Sequence, residues 1–137
     1  MAEERGSSLI EFALVLPLLL LLIIGLLQAG FWGYASLIAG EAARHGARVG
    51  SVAQANPSGY AQQAALDEAQ AAFPAAAPEV QILAPGGVVG SDLTLEVKFN
   101  VPNLLWHAGL GALFPLPAAN HPTLAVRRQV TFRQEGW

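Results

Sequence analysis

Hydrophobic residues dominate the N-terminal part of the chain. From Phe12 to Leu27 the sequence reads FALVLPLLLLLIIGLL, without a polar side chain, and no Asp, Glu, Lys or Arg lies between Glu11 and Glu41. A membrane-spanning helix needs about 20 mostly apolar residues, so this segment predicts a transmembrane helix. The alternative is a cleaved secretory signal, which has a basic start and an apolar run of about 7–15 residues. The first six residues, MAEERG, carry two Glu and one Arg, which disfavours that alternative.

The helix is predicted to continue beyond the membrane. The residues that follow Gly40, EAARHGARVGSVAQA, are rich in Ala and Arg, which favour helix. A helix from Leu9 to Ala53 would measure about 68 Å at 1.5 Å per residue, more than twice the roughly 30 Å of the hydrocarbon core. The excess must stand in water or pack against a folded domain. Pro17 lies inside the apolar run and predicts a bend there, because its ring removes one backbone hydrogen bond.

The C-terminal part of the chain predicts a second helix and three strands. Asn56-Pro57 suits a helix start, because Asn caps a helix and Pro fits its first position; the helix should end before Pro74. Alternating hydrophobicity predicts a strand over 92–101, with further strands at about 79–83 and 123–133. We therefore predict an α+β fold: a long N-terminal transmembrane helix that continues into a small domain with a second helix and a three-stranded antiparallel sheet. The inward positions of the strand at 92–101 are predicted to be Leu93, Leu95, Val97, Phe99 and Val101.

Two features of this domain break the simple pattern. Arg128 falls among the inward residues of the last strand, which predicts either a β-bulge or an ion pair with an acid such as Glu96. The connection at 102–122 is unusually apolar for a loop. It either completes a small core or exposes a patch for a partner subunit or the outer membrane leaflet. The residues expected to decide between these alternatives are Trp106 and Phe114.

Small residues recur every four positions along the long helix, a spacing that lets helix backbones approach closely in membranes. The first set is Gly25, Ala29 and Gly33. We predict that this pattern forms a seam for association with similar helices; the alternative is that Ala and Gly are simply abundant here. Two further sets continue the pattern: Ala39, Ala43 and Ala47, and Ala42, Gly46 and Gly50.

Composition narrows the function classes. Charged residues make up 12% of the chain, against about 25% in a soluble domain, which argues against an ordinary cytosolic enzyme. The net charge of −3 gives no basic field for nucleic acid. The absence of Cys excludes disulfides and thiolate sites, and the three His lack metal-ligand spacing. No nucleophile, base or oxyanion constellation can be assembled, so we expect no enzymatic activity, no cofactor and no small-molecule substrate.

The N-terminal motif resembles a known family. The run RGSSLIEFALVLP, residues 5–17, resembles the N-terminus of TadE-like proteins, the pseudopilins or minor pilins of the tight-adherence branch of the bacterial type IV pili. The segment AARHGAR, residues 42–48, is similar to one that follows the membrane helix in that family. The resemblance is specific over roughly residues 5–50.

The resemblance implies that a membrane prepilin peptidase cuts the chain after Gly6. Ser7 would then be the first mature residue and Glu11 the fifth. The carboxylate of Glu11, next to Phe12, would lie one helical turn from the new α-amino group of Ser7 or that of a neighbouring subunit. In pilins this pairing is held to guide the subunit into the filament. Breaking such a pair at low dielectric costs about 3–5 kcal/mol.

The implied organisation is a leader at 1–6, a transmembrane and protruding helix at 7–53, and an extracytoplasmic α+β domain at 54–137. The expected location is the bacterial cytoplasmic (inner) membrane, crossed once, or an extracellular pilus after assembly. The expected partners are the lipid bilayer, the prepilin peptidase, other pilins and minor pilins, and the pilus assembly platform. Two alternatives stay open: a single-pass envelope anchor or binding module that never enters a filament, and an unusual major filament subunit, although major pilins of this branch are mostly one helix.

Overall fold

The predicted α+β fold is confirmed. A computed structural model describes residues 2–74, 76–110 and 121–135, with side chains from Ile10 onward. In chain order the elements are helices α1 (Ala2–Ser51) and α2 (Pro57–Ala72), strands β1 (Pro78–Pro85) and β2 (Asp92–Pro102), the short helix α3 (Leu104–His107) and strand β3 (Thr123–Arg133).

Helix α1 is one continuous element that includes both the predicted span and the predicted extension. Pro17 lies inside it. The part from Ile10 to Ser51 is long and apolar enough to cross a membrane, and no side chain of its most apolar window is buried. The core helix of a water-soluble protein would bury such side chains, because their exposure to water is unfavourable. This exposed apolar helix therefore suits single-pass membrane anchoring.

The chain forms two compact units. One consists of Met1–Phe31 and Asn103–Pro122, and the other of Trp32–Pro102 and Thr123–Trp137. The first unit joins the apolar segment of α1 to the connection between β2 and β3. The second contains the remainder of α1, helix α2 and the sheet.

The sheet of the second unit is antiparallel, with strand order β1-β2-β3. Strand β2 is central, and its five predicted inward side chains are all completely buried. Its register with β3 runs without interruption from Asp92 opposite Arg133 to Pro102 opposite Thr123. The register shifts only in β1, between Ile82 and Ala84. Alternation along β2 thus identified the core correctly: Leu93, Leu95, Val97, Phe99 and Val101.

Small residues bring α1 close to α2 and to the sheet. A methyl group added at Gly46 would lie 2.5 Å from the carbonyl oxygen of Ala61, and one added at Gly50 would lie 2.5 Å from Cδ2 of Leu93. Two of the predicted seams are therefore occupied within the chain. The prediction that they serve association with other helices is wrong, because all their members are buried and two of them, Gly46 and Gly50, lie against α2 and β2. Their members, all buried, are Ala39, Ala42, Ala43, Gly46, Ala47 and Gly50.

Side chains close the ends of the two long helices. Asn56 caps α2 as predicted, and its side chain accepts a hydrogen bond from the Gly59 amide at 3.2 Å. At the end of α1 the buried Gln134 donates to the carbonyl oxygens of Gly50 and Ala53, at 3.5 and 3.2 Å. The Gly50 carbonyl also accepts from the Ala53 amide at 3.1 Å, so the residue that follows β3 ties the chain back to the last turn of α1.

Candidate functional site

The N-terminal motif lies on the first turns of α1. Gly6 and Ser7 are within the helix, and the backbone of Glu11 lies one turn after that of Ser7, about 6 Å along the axis. The side chains of Glu11 and Phe12 are exposed. The described residues form two ion pairs, Arg44 with Glu41 and Lys98 with Glu79. Glu11 is in neither pair, so within the described part of the chain its carboxylate has no cationic partner.

The predicted seam at Gly25, Ala29 and Gly33 differs from the two that pack within the chain. A methyl group added at Gly25 or Gly33 would meet no atom of the described residues within 4 Å, and Ala29 is exposed. Within the described part of the chain, this stretch of α1 therefore leaves room for the close approach of another helix. Its role in helix association stays a prediction.

Gln28 interrupts the apolar run and connects it to α3, within the same compact unit. Its side chain is only 8% exposed, and its Oε1 accepts a hydrogen bond from the backbone amide of Leu104 at 2.7 Å. Sequence reasoning assigned Gln28 no role. The available signal was a single amide between two apolar stretches, since a polar group in such a place needs a partner.

Asn103 organises the connection between β2 and β3. The residue is 1% exposed; its Nδ2 donates to the carbonyl of His121 at 2.8 Å, and its Oδ1 accepts from the Leu105 amide at 3.2 Å. Its own amide donates to the carbonyl of Pro122 at 2.9 Å. One buried side chain therefore holds both ends of the connection together.

The predicted patch residues of this connection are only partly placed by the structure. Trp106 is 45% exposed, so this side chain does not complete a core. Phe114 lies outside the described residues. For Trp106 the exposed-patch alternative therefore fits better than the core-flap alternative.

Both expectations for Arg128 are wrong. Arg128 lies opposite Val97 in an unbroken register, so no bulge turns it away. Its guanidinium does not contact Glu96; its Nε donates to the Oγ of Ser36 at 3.0 Å, and Nη2 donates to the same oxygen. Because β3 is an edge strand, the long side chain reaches the hydroxyl of α1 while the residue stays exposed.

Open depressions lie beside α1 on the described surface of the second unit. One, of about 360 Å³, includes Ser36, Arg44 and Arg128 in its lining; another, of about 380 Å³, includes Arg44, His45 and Glu68. Among the residues that the structure describes, no group of three or more His, Asp or Glu side chains could hold a metal ion. The depressions supply cationic and hydrogen-bonding groups without a metal site.

Comparison with known proteins agrees with the N-terminal motif. The family described as "TadE-like protein" matches residues 6–48. The matched segment begins at Gly6 and ends at Arg48, so it includes Glu11, the apolar run and AARHGAR. The predicted resemblance is confirmed over this segment. No curated protein and no solved structure matches the chain.

Proposed function

We propose that the protein is a membrane-anchored minor pilin, or pseudopilin, that takes part in the assembly of a tight-adherence (type IVc-like) pilus. The match of residues 6–48 to the TadE-like family carries this proposal, because the family indicates a membrane protein related to the Tad pilus. The exposed apolar part of α1 supports it. The bilayer of the bacterial inner membrane would cover that part before assembly, and other pilins would cover it in the filament.

Processing is the first step of the proposal. A prepilin peptidase hydrolyses the peptide bond between Gly6 and Ser7, which leaves a carboxylate on Gly6 and an α-amino group on Ser7. A protease binds its substrate in an extended form, so the first turns of α1 must unwind. Gly6 favours this, since Gly in a helix is about 1 kcal/mol less favourable than Ala and has no Cβ to obstruct a narrow cleft.

The pairing of Glu11 is the second step. Its carboxylate is exposed on the isolated chain, where it can meet the new amino group of a neighbouring subunit. Two opposite charges attract strongly in a medium of low dielectric constant, so a correctly docked subunit is favoured over one in a different axial register. The open seam at Gly25, Ala29 and Gly33 would let the helix of a neighbour approach closely. The expected partners are therefore other pilins and the assembly platform.

Mass spectrometry of the N-terminus tests the proposal directly. The protein is purified from cells with and without an active prepilin peptidase. We expect a chain that starts at Ser7 only when the enzyme is active, and an uncut chain for Gly6→Val in both strains. An intact leader on the unaltered protein in the presence of the active enzyme would favour the alternative, a single-pass envelope anchor or binding module outside the filament.

A further inference from the structure

The hydrogen bond between Gln28 and Leu104 relates the position of α3 to the depth of Gln28 in the membrane. If the span begins after the charge of Glu11, the rise from Phe12 to Gln28 is about 24 Å at 1.5 Å per residue. The hydrocarbon core is about 30 Å thick. Gln28 would then lie inside the core, close to the boundary opposite Glu11. Since the Leu104 amide is 2.7 Å from Gln28 Oε1, α3 begins at that same depth.

The first backbone amides of α3 donate hydrogen bonds to protein side chains and do not depend on water. The first amides of a helix lack intrahelical partners, and in lipid each open group costs several kcal/mol. In α3, side chains accept hydrogen bonds from the first two amides: Gln28 accepts from the Leu104 amide, and Asn103 accepts from the Leu105 amide at 3.2 Å. An Asn cap also occurs at an exposed position, as Asn56 shows on α2, but both acceptors at α3 are buried, since Gln28 is 8% and Asn103 1% exposed. Buried side-chain acceptors are needed where water is scarce.

The composition of the segment fits the same environment. No Asp, Glu, Lys or Arg occurs between Lys98 and Arg127, a second charge-free stretch besides the span. Trp106 is 45% exposed within this stretch. Trp is enriched where hydrocarbon meets the headgroups, because its ring is apolar and its N–H is polar.

We propose that α3 and its flanking residues, 103–110, form a second membrane contact that lies in the outer boundary of the bilayer spanned by α1. The inference rests on the proposed membrane anchoring and adds to it a lipid-binding surface centred on Trp106. Lipid is the chosen occupant because the surface is continuous with the apolar segment of α1 through Gln28. The contact would hold the connection between β2 and β3 at the membrane, so that the chain is attached at two places.

Quenching of Trp fluorescence by brominated lipids tests this proposal on the full chain. The variant Trp32→Phe/Trp137→Phe leaves Trp106 as the single Trp and is reconstituted in phosphatidylethanolamine–phosphatidylglycerol vesicles. We expect a blue-shifted emission, a larger loss of emission with acyl chains brominated near the headgroup than near the chain end, and protection from aqueous iodide.

Two further single-Trp proteins provide the controls. Trp106→Phe/Trp137→Phe leaves Trp32 on α1 and reports insertion of the span. Adding Tyr60→Trp to a chain with all three Trp changed to Phe reports an exposed position on α2. Quenched Trp32 together with unquenched, iodide-accessible Trp106 would overturn the proposal and leave the anchoring intact. If neither Trp is quenched, the anchoring itself fails. Protection of Trp106 that appears only at high protein-to-lipid ratio would assign the surface to a partner chain instead.

A substitution at Gln28 tests the connection between the span and α3. Gln28→Met keeps the length of the side chain and removes the acceptor of the Leu104 amide. We expect less bromine quenching and more iodide quenching of Trp106, with Trp32 unchanged. Gln62→Met is the matched control, because that amide bonds to the Val80 carbonyl and should leave Trp106 unaffected. Unchanged quenching of Trp106 in Gln28→Met would contradict the proposed docking.

Discussion

Helix α1 carries the same spacing of small residues in two regions that have opposite surroundings. At Gly25 and Gly33 an added methyl group meets no described atom within 4 Å, whereas at Gly46 and Gly50 it meets atoms of Ala61 and Leu93 at 2.5 Å. Two acids of the helix, Glu11 and Glu41, show a similar contrast. Glu41 pairs with Arg44 at 2.9 Å, while Glu11 has no ion pair within the described part of the chain. Small residues spaced four apart thus predict that another segment can approach the helix closely, but the spacing does not say whether that segment belongs to the same chain or to another one.

Loss of the Glu11 carboxylate should have the largest effect. We expect Glu11→Ala to insert in the membrane normally and to abolish pilus assembly, because the new amino group of the mature chain loses its counter-charge. Pili are measured by shearing and immunoblot, and membrane content by fractionation. Glu41→Ala on the same helix is the matched control and should assemble normally, since an exposed ion pair contributes about 0–1 kcal/mol. Normal pilus levels in Glu11→Ala would remove the proposed pairing.

Substitutions in the two groups of glycines should affect different properties: those at the packed glycines should affect folding stability, and those at the open glycines should affect pilus assembly. Gly46→Val is expected to destabilise the fold by about 1–3 kcal/mol, since the added atoms meet the backbone of α2. Gly25→Val should change stability by less than about 0.5 kcal/mol and should lower pilus levels. Thermal unfolding by circular dichroism in detergent measures the first effect, and sheared pili measure the second. An equal loss of stability in both variants would contradict the difference in packing between Gly46 and Gly25.

The contact between Arg128 and Ser36 should contribute moderately. We expect Ser36→Ala to destabilise by about 1 kcal/mol, less than is usual for a hydrogen bond to a charged group because Arg128 is exposed. A double-mutant cycle with Arg128→Met isolates the interaction. Arg127→Met, a change to the neighbouring Arg on the opposite face of β3, is the control and should show no coupling with Ser36→Ala. A coupling energy near zero would mean that the hydrogen bond between the Ser36 hydroxyl and the Arg128 guanidinium does not contribute to stability.

The ion pair between β1 and β2 should produce the smallest effect. A hydrogen bond from the Lys98 ammonium, supported by one from Gln81, lowers the pKa of Glu79 below the ordinary value for Glu. A lowered folded-state pKa stabilises the protein above the unfolded-state pKa, and this contribution is lost as the pH falls through the folded-state pKa. The unfolding midpoint of wild type should therefore slightly exceed that of Glu79→Gln at neutral pH, and the two should converge in acid. A difference that persists in acid would have another cause.

Local patterns predicted most of the fold. Alternation identified the buried side of β2, and Asn56 marked the start of α2 correctly, because strand faces and helix caps depend on neighbours within a few residues. The apolar run and the Gly6–Glu11 motif likewise led to the family resemblance. The register of Arg128 was misjudged, since its partner Ser36 lies 92 positions away, and no local pattern contains that pairing.

The amino-acid sequence alone determined the charge-free segment of the long helix, the order of the later helix and strands, and the spacing of Gly6, Ser7 and Glu11 on which the proposed pilin-like role rests. Tertiary structure decided which small residues are already used within the chain, what receives the guanidinium of Arg128, and why an amide interrupts the apolar run. Gln28 contacts a backbone amide 76 positions away. Such contacts depend on how distant segments meet in space, and hydrophobic periodicity, which reports only the face that a residue occupies, contains no information about them.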